Sequence, residues 1–231
     1  MPDPVEITVL SSIATREAYL ELVPQFERAT GHKVTTTWSG TTAIMKQMAA
    51  GERYDLVMIS SRELDELIRQ GKLVAGSRVD LAKSGIGVAV RAGALRPDLS
   101  SGEALKRALL AAKTVGYTSG PSGVYMAGLI ERMGIAAELK DKHRSVPSGG
   151  TVGTIVASGD AEIGFQQVSE LVHIPGIDYA GPLPPDVQHI TVFSAGVQTG
   201  ATQPDAARAL VAFLTTPAAM AVMKKHGLDP A

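Results

Sequence analysis

An α/β fold built on parallel βα units is what this sequence predicts, and three observations predict it. Segments of strand length alternate with segments of helical periodicity three times before residue 71. The run Leu56-Val57-Met58-Ile59 is unbroken and apolar, as a strand covered on both faces requires. Glycines at 31 and 51 close the first two helical segments.

In chain order, ITVLSS (Ile7–Ser12) reads as a buried strand, followed by a helix from about Thr15 to Thr30. VTTTWS (Val34–Ser39) is the next strand and Thr42–Ala50 the next helix. YDLVMISS (Tyr54–Ser61) is the third strand, and RELDELIRQG places Leu64, Leu67 and Ile68 at helical spacing. GIGVAVRAG (Gly85–Gly93) is a further strand. A loop with Pro97, Asp98 and Ser100 then leads to a helix through Leu105–Ala111. TVGYTS is a strand that feeds the amphipathic helix inside YTSGPSGVYMAGLIERMG. KHRSVPSGG leads to a helix around Thr151–Ser158, EIGFQQVSEL reads as strand and turn, and IDYAGPLPP as a strand ending in prolines. HITVFSAGVQT (His189–Thr199) is the last long strand, and two helices close the chain.

Composition narrows the function classes. The 231 residues carry 22 Lys and Arg against 23 Asp and Glu, a net charge of −1, with no basic run to favour nucleic acid or a membrane surface. No cysteine is present, which removes thiol chemistry, disulfides and thiolate metal sites. Aromatic residues make up 4%, so the core is aliphatic. No stretch reaches the length of a membrane span. A serine hydrolase elbow, G-x-S-x-G, is absent from SGPSG. The five histidines, His32, His143, His173, His189 and His226, lack ligand spacing. The GxG of SGIGVAV does not open a helix.

One pattern recurs. Apolar runs repeatedly end in Ser, Thr or Gly and step directly into a helix, at six junctions: LSSIAT, TWSGTT, ISSREL, TSGPSG, VPSGGT and QQVSEL. Any one of these is explained by ordinary N-capping. Six together suit an anion site, because strand carboxyl ends in an open α/β sheet face one crevice and helix N-termini carry partial positive charge. With no lysine among them, the anion would be held by neutral donors.

The ordered series of segments, from ITVLSS through WSGTTAIMKQMAAGERYDLVMIS, PSGVYMAGLIERMGIAAEL and GDAEIGFQQVSEL to LVAFLTTPAAMAVMKKHGL, resembles the type II periplasmic solute-binding proteins of ABC importers, and among them the molybdate-binding group. The resemblance spans nearly the whole chain. It implies a two-lobed fold with two crossover hinge strands, lobe one being 1–84 with 197–231 and lobe two 85–196, and a ligand held between them. The crossings are assigned to GIGVAVRAG and HITVFSAGVQT. It implies Ser11, Ser12, Ser39, Gly40 and Thr41 as ligand-binding in the first lobe, and Ser122, Gly149, Gly150 and Gln167 in the second. Gln166 joins its neighbour, and Ser60 is added as a third strand end. It further implies a small anionic ligand, an ABC membrane permease as partner, a monomer, a periplasmic location after removal of a leader, and no resident cofactor or metal.

Two departures from the family pattern bear on the ligand. The serine of the first loop falls near Ala14, so Ser11 or Ser12 substitutes for it. The family's tyrosine is replaced by Gln167, and an amide offers an acceptor beside its donors. That suits a carboxylic or hydroxy acid better than molybdate. An enzymatic alternative on the same scaffold is an aconitate isomerase, which shifts a proton along an allylic system. Its base is sought among His173, Glu170 and Arg62. Arg62, Arg91 and Arg144 are candidates to meet a carboxylate, and Trp38 is expected in packing beside Ser39.

Overall fold

The computed structural model describes residues 3–231. In chain order its elements are β1 (Glu6–Ser12), α1 (Arg16–Thr30), β2 (Lys33–Ser39), α2 (Thr41–Ala49), β3 (Leu56–Ser60), α3 (Ser61–Arg69) and β4 (Val79–Arg91). There follow α4 (Gly102–Ala111), β5 (Val115–Thr118), α5 (Pro121–Arg132), α6 (Ala136–Leu139), β6 (His143–Val146), α7 (Val152–Ser158), β7 (Ile163–Gln167) and α8 (Val168–Leu171). The chain ends with β8 (Ile177–Pro182), β9 (Ile190–Val197), α9 (Pro204–Leu214), α10 (Pro217–Lys225) and β10 (Asp229–Pro230). Two compact units result: unit 1 runs to Lys83 and resumes over Val192–Ala231, and unit 2 is Ser84–Thr191. The strands β4 and β9 carry the chain from one unit to the other and back.

In unit 1, β1 pairs in parallel with β2 on one side and β3 on the other, and β9 runs antiparallel beyond β3. The period of two along the strands sends alternate residues to opposite faces. Ile7, Val9, Leu56 and Met58 join the cluster that contains Tyr19, Leu22 and Phe26 of α1 and Leu210 and Leu214 of α9. Leu10, Val57 and Ile59 join Ile44 and Met48 of α2 and Leu64 and Leu67 of α3. The unbroken LVMI run therefore has a physical cause: helices cover both faces, so no position in the run meets water.

In unit 2, β5 pairs in parallel with β6 and with β7, and β4 runs antiparallel to β7 and β8. Ile86, Val88, Val115 and Phe165 pack with Leu105 and Leu109 of α4 and with Met126 and Leu129 of α5. A smaller cluster of Val146, Val152, Val156 and Ala161 seats α7.

Several segments differ from expectation. The strand β6 lies within KHRSVPSGG, where alternating polar residues hid it; it is paired through β5 alone. The strand β4 starts six residues before Gly85, because Asp80, Lys83 and Ser84 interrupt the apolar run without interrupting the ladder. VSEL, after the glutamines that end β7, forms the short helix α8 rather than a turn.

Candidate functional site

Because β1, β2 and β3 are parallel, their carboxyl ends share one edge of the unit 1 sheet. The register places Ser12 opposite Ser39, and Ser60 closes β3 on the same edge. Ser11, Ser12 and Ser60 are buried, Gly40 is buried, and Ser39 and Thr41 are partly exposed. The first loop forms a small hydroxyl cluster. Ser11 Oγ and Thr15 Oγ1 lie 3.1 Å apart, and Ser12 Oγ accepts from Ala14 N–H at 3.4 Å. Thr15, buried and part of this cluster, was missing from the sequence expectation; its signal is a hydroxyl four residues after Ser11. Ala14 itself sits buried in the 3-10 turn Ile13–Thr15. Ser60 Oγ donates to Glu63 Oε2 across one turn of α3, which places a carboxylate beside that edge.

Unit 2 repeats the arrangement with β5, β6 and β7, whose carboxyl ends carry Thr118, Val146 and Gln167. Ser122 is buried in the first turn of α5, behind Pro121. Thr118, also buried and not anticipated, accepts from Gly120 N–H at 3.1 Å. Ser119 Oγ accepts from Ser148 N–H at 3.0 Å, tying the α5 entry to the loop before α7. Gly149 in that loop has φ +88°, a conformation that L side chains rarely adopt. Gly150 turns back on Pro147, its N–H donating to Pro147 O at 2.8 Å.

The two glutamines have different roles. Gln166 is fully engaged: Val152 N–H donates to its Oε1 at 2.7 Å, and its Nε2 donates to Gly150 O at 2.9 Å. It latches β7 to the loop before α7. Gln167 is only half satisfied. Its Nε2 donates to Thr191 Oγ1 at 2.9 Å, while its Oε1 is buried with no protein partner. If the amide is turned about, the threonine hydroxyl donates instead and the unpartnered atom becomes the NH₂ group. Either way one polar end of a side chain only 3% exposed awaits a partner. Ser169 Oγ, buried two residues further on, is likewise unpartnered.

Ordinary capping accounts for little of this. Away from these junctions, Ser101 and Thr216 cap α4 and α10 with their side chains. At the junctions, only Ser12 does so, on its 3-10 turn. The helices α2, α3, α5, α7 and α8 begin at Gly40, Ser60, Gly120, Thr151 and Gln167 without a side-chain cap. The α7 entry is served from outside by Gln166.

Glu170 stands in α8, three residues beyond Gln167. Burial pushes its carboxyl up to about 7, against the opposing pull of hydrogen bonds from the Gln166 side chain and the Gln167 backbone. Part of the residue still reaches solvent.

Other candidates fall elsewhere. Arg62 and Arg91 are exposed, and Arg144 donates to the carbonyls of Asp141 and His143. His143 stacks on Tyr117 and His189 on Tyr125, with centroids 3.7 and 4.6 Å apart. His32 accepts from Val5 N–H, His226 pairs with Glu21, and His173 is exposed. Trp38 packs edge-on against Tyr19 at 5.4 Å. Among the described residues, no three His, Asp or Glu side chains are placed to hold a metal ion. A surface recess of about 490 Å³ in unit 1 lies at the opposite sheet edge, beside Glu6 and Lys33, the first residues of β1 and β2.

A model of the family described as bacterial extracellular solute-binding protein matches residues 7–229. The chain belongs to that family. This solute-binding protein is 38% identical over 230 residues to an aconitate isomerase from Pseudomonas sp, covering 97% of this chain and 87% of the relative. It is 28% identical over 214 residues to the molybdate-binding protein ModA of Azotobacter vinelandii, covering 90% and 83%. The solved periplasmic molybdate-binding protein of Azotobacter vinelandii superposes with a TM-score of 0.81 at 20% identity, covering 97% of this chain and 99% of that one. The solute-binding protein thus has the type II periplasmic-binding-protein fold, in an anion-binding group.

Proposed function

We propose that this solute-binding protein takes up a small unsaturated polycarboxylate of the aconitate class and moves its double bond by allylic proton transfer. The observation that carries the reading is the 38% identity to an aconitate isomerase over almost the entire chain. The free end of the Gln167 amide, carbonyl or NH₂ according to how it is turned, can meet a carboxylic acid or a carboxylate. The hydroxyls at the strand ends supply further neutral donors to a carboxylate.

A second reading is retained because of the 28% identity to a molybdate-binding protein. In it the protein is a periplasmic monomer that captures its anion by the same donors and hands it to an ABC permease without changing it. Both readings assign ligand contact to Ser11, Ser12, Ser39, Gly40, Thr41, Ser60, Ser122, Gly149, Gly150 and Gln167. Gln166 acts as the residue that holds the Gly149–Gly150 loop.

Incubation of the protein with cis-aconitate or trans-aconitate, followed by chromatography, separates the two. Appearance of the other isomer supports the first. Thermal stabilisation by molybdate, tungstate or sulfate with no conversion of aconitate overturns the first and supports the second. A hundredfold excess over Kd stabilises by about 2.7 kcal/mol, which a melting curve resolves.

A further inference from the structure

We infer that Thr191, the last residue of unit 2, positions the Gln167 amide and sets what that amide can offer a ligand. The inference rests on Gln167 as a ligand contact, an assignment that both readings above share.

The residue type comes first. At the start of β9, Ile190 is exposed, Thr191 buried, Val192 partly exposed and Phe193 buried. The period of two turns Thr191 inward, to a position that valine would fill with the same shape. A hydroxyl there costs free energy unless it is hydrogen-bonded. Among the described residues its side chain has one partner: Gln167 Nε2, at 2.9 Å and 24 residues away in the chain. Thr191 is 6% exposed and Gln167 3%, so water has little access to the pair. Branching at Cβ restricts χ1, which holds the hydroxyl in one place.

The neighbouring glutamine shows what such a partner does. The Val152 N–H can only donate and the Gly150 carbonyl can only accept, so each end of the Gln166 amide has one possible place. Gln166 is locked. Gln167 ends β7 with a threonine hydroxyl as its partner, and a hydroxyl both gives and takes hydrogen bonds. Either orientation of the Gln167 amide is therefore satisfied at Thr191, and the free end is carbonyl or NH₂ accordingly.

The consequence is a contact that adapts to the ligand. Facing a carboxylate, the amide turns its NH₂ end to the ligand and Thr191 donates to Oε1. Facing a protonated carboxyl or a hydroxyl group, it turns its carbonyl and Thr191 accepts from Nε2. A polycarboxylic acid uses both orientations, whereas a fully deprotonated oxyanion uses only the first. Thr191 acts through Gln167 and is a positioning residue. The competing account is plain pairing of two buried polar groups, which supports the fold and does nothing for the ligand.

The test is a double-mutant cycle on Thr191→Val and Gln167→Met, with Thr191→Ser and Thr191→Ala beside it. Calorimetric Kd for trans-aconitate and for molybdate, and a melting curve, are measured for each protein. For the anion that binds wild type, Thr191→Val should bind about tenfold more weakly, the worth of one well-placed hydrogen bond. Thr191→Ala, which also removes the hydroxyl, should lose about as much, and Thr191→Ser should stay within about threefold of wild type. In the Gln167→Met background, Thr191→Val should cost less than about twofold more, because the amide through which it acts is gone. In ¹⁵N-labelled wild type, the Gln167 NH₂ signals, identified by their loss in Gln167→Met, should shift when that anion is added.

A folded Thr191→Val or Thr191→Ala with a lowered melting temperature and an unchanged Kd overturns the inference. So does a loss that persists undiminished in the Gln167→Met background, or an NH₂ signal that the anion does not move. Gln167→Met that binds as tightly as wild type overturns the Gln167 assignment and the inference with it. A wild type that binds neither anion overturns both readings of the site, and the inference falls with them.

Discussion

Asp55 in unit 1 and Glu170 in unit 2 are both carboxyls taken out of bulk water, and the fold treats them in opposite ways. Asp55 receives four hydrogen bonds, from Thr8 N–H and Oγ1 on one oxygen and from Thr202 Oγ1 and Gln203 N–H on the other, all at 2.8–2.9 Å. Burial pushes its pKa up, but these four bonds outweigh burial and hold it below the usual carboxylate range. Glu170 has two neutral partners, and burial wins. The rims differ in the same sense. Unit 1 satisfies its hydroxyls internally, through Ser11 with Thr15 and Ser60 with Glu63. Unit 2 leaves Gln167 and Ser169 wanting partners. The comparison teaches that the number of donors, more than depth of burial, decides whether a carboxyl taken out of water has its pKa lowered or raised.

The largest way to break the unit 2 edge is Gly123→Ala. A Cβ at Gly123 would lie 1.5 Å from Thr118 O, a backbone atom that ends β5. The first turn of α5 would have to leave its seat, at a cost of about 3 kcal/mol or more in thermal or urea unfolding. Gly128→Ala, in the same helix, meets only the flexible end of Arg132, and should change stability by less than about 1 kcal/mol.

Asp55→Ala removes the acceptor for four donors, and should destabilise by about 3 kcal/mol as those donors are left buried. The acid limb of stability checks the sign. The contribution of Asp55 is complete above its unfolded pKa of about 3.9 and disappears as pH falls through its lower folded value. Wild type should therefore lose stability below about pH 4, and Asp55→Ala should lose less.

Glu170→Gln gives the opposite sign. Because the folded pKa is raised, the wild-type fold is most favoured below the unfolded value of about 4.3 and loses stability as pH rises to about 7. The variant should match wild type at pH 4 and exceed it by about 2 kcal/mol at pH 8, a figure discounted for the partial exposure of the residue. A Glu170→Gln protein less stable than wild type at pH 8 would contradict a Glu170 carboxyl whose pKa burial raises.

Smaller effects concern the donors. Ser122→Ala should weaken aconitate binding about tenfold in calorimetry without moving the melting curve, since a hydrogen bond to a charged group contributes about 1.5 kcal/mol. Glu63→Gln removes the carboxylate that Ser60 now serves and should tighten anion binding about twofold, an effect that fades as salt is raised. Unchanged affinity in it would separate Ser60 from the ligand.

Much of the fold was legible because it follows from local rules. The LVMI run needs two covered faces, the glycines at 31 and 51 stop helices, and the hydroxyls at 11, 12, 39, 60 and 122 stand where strands hand over to helices. The candidate donors were read from that punctuation alone. What escaped was set by residues far apart in sequence. β6 is polar and short, and only its pairing with β5 makes it a strand. Thr15 and Thr118 look like any loop hydroxyl until the loops close around them.

The sequence by itself determined the alternation of strands and helices, the neutral character of the strand ends and the absence of thiol chemistry, because each depends on residue type and near neighbours. Only the tertiary structure decided which carboxyl has its pKa lowered and which has it raised. The donors to Asp55 come from 47 and about 147 residues away, while the Gln166 latch at the end of β7 reaches back 14 and 16 residues to Val152 and Gly150. Protonation is governed by local dielectric and hydrogen-bond count, and those exist only once distant segments have packed together.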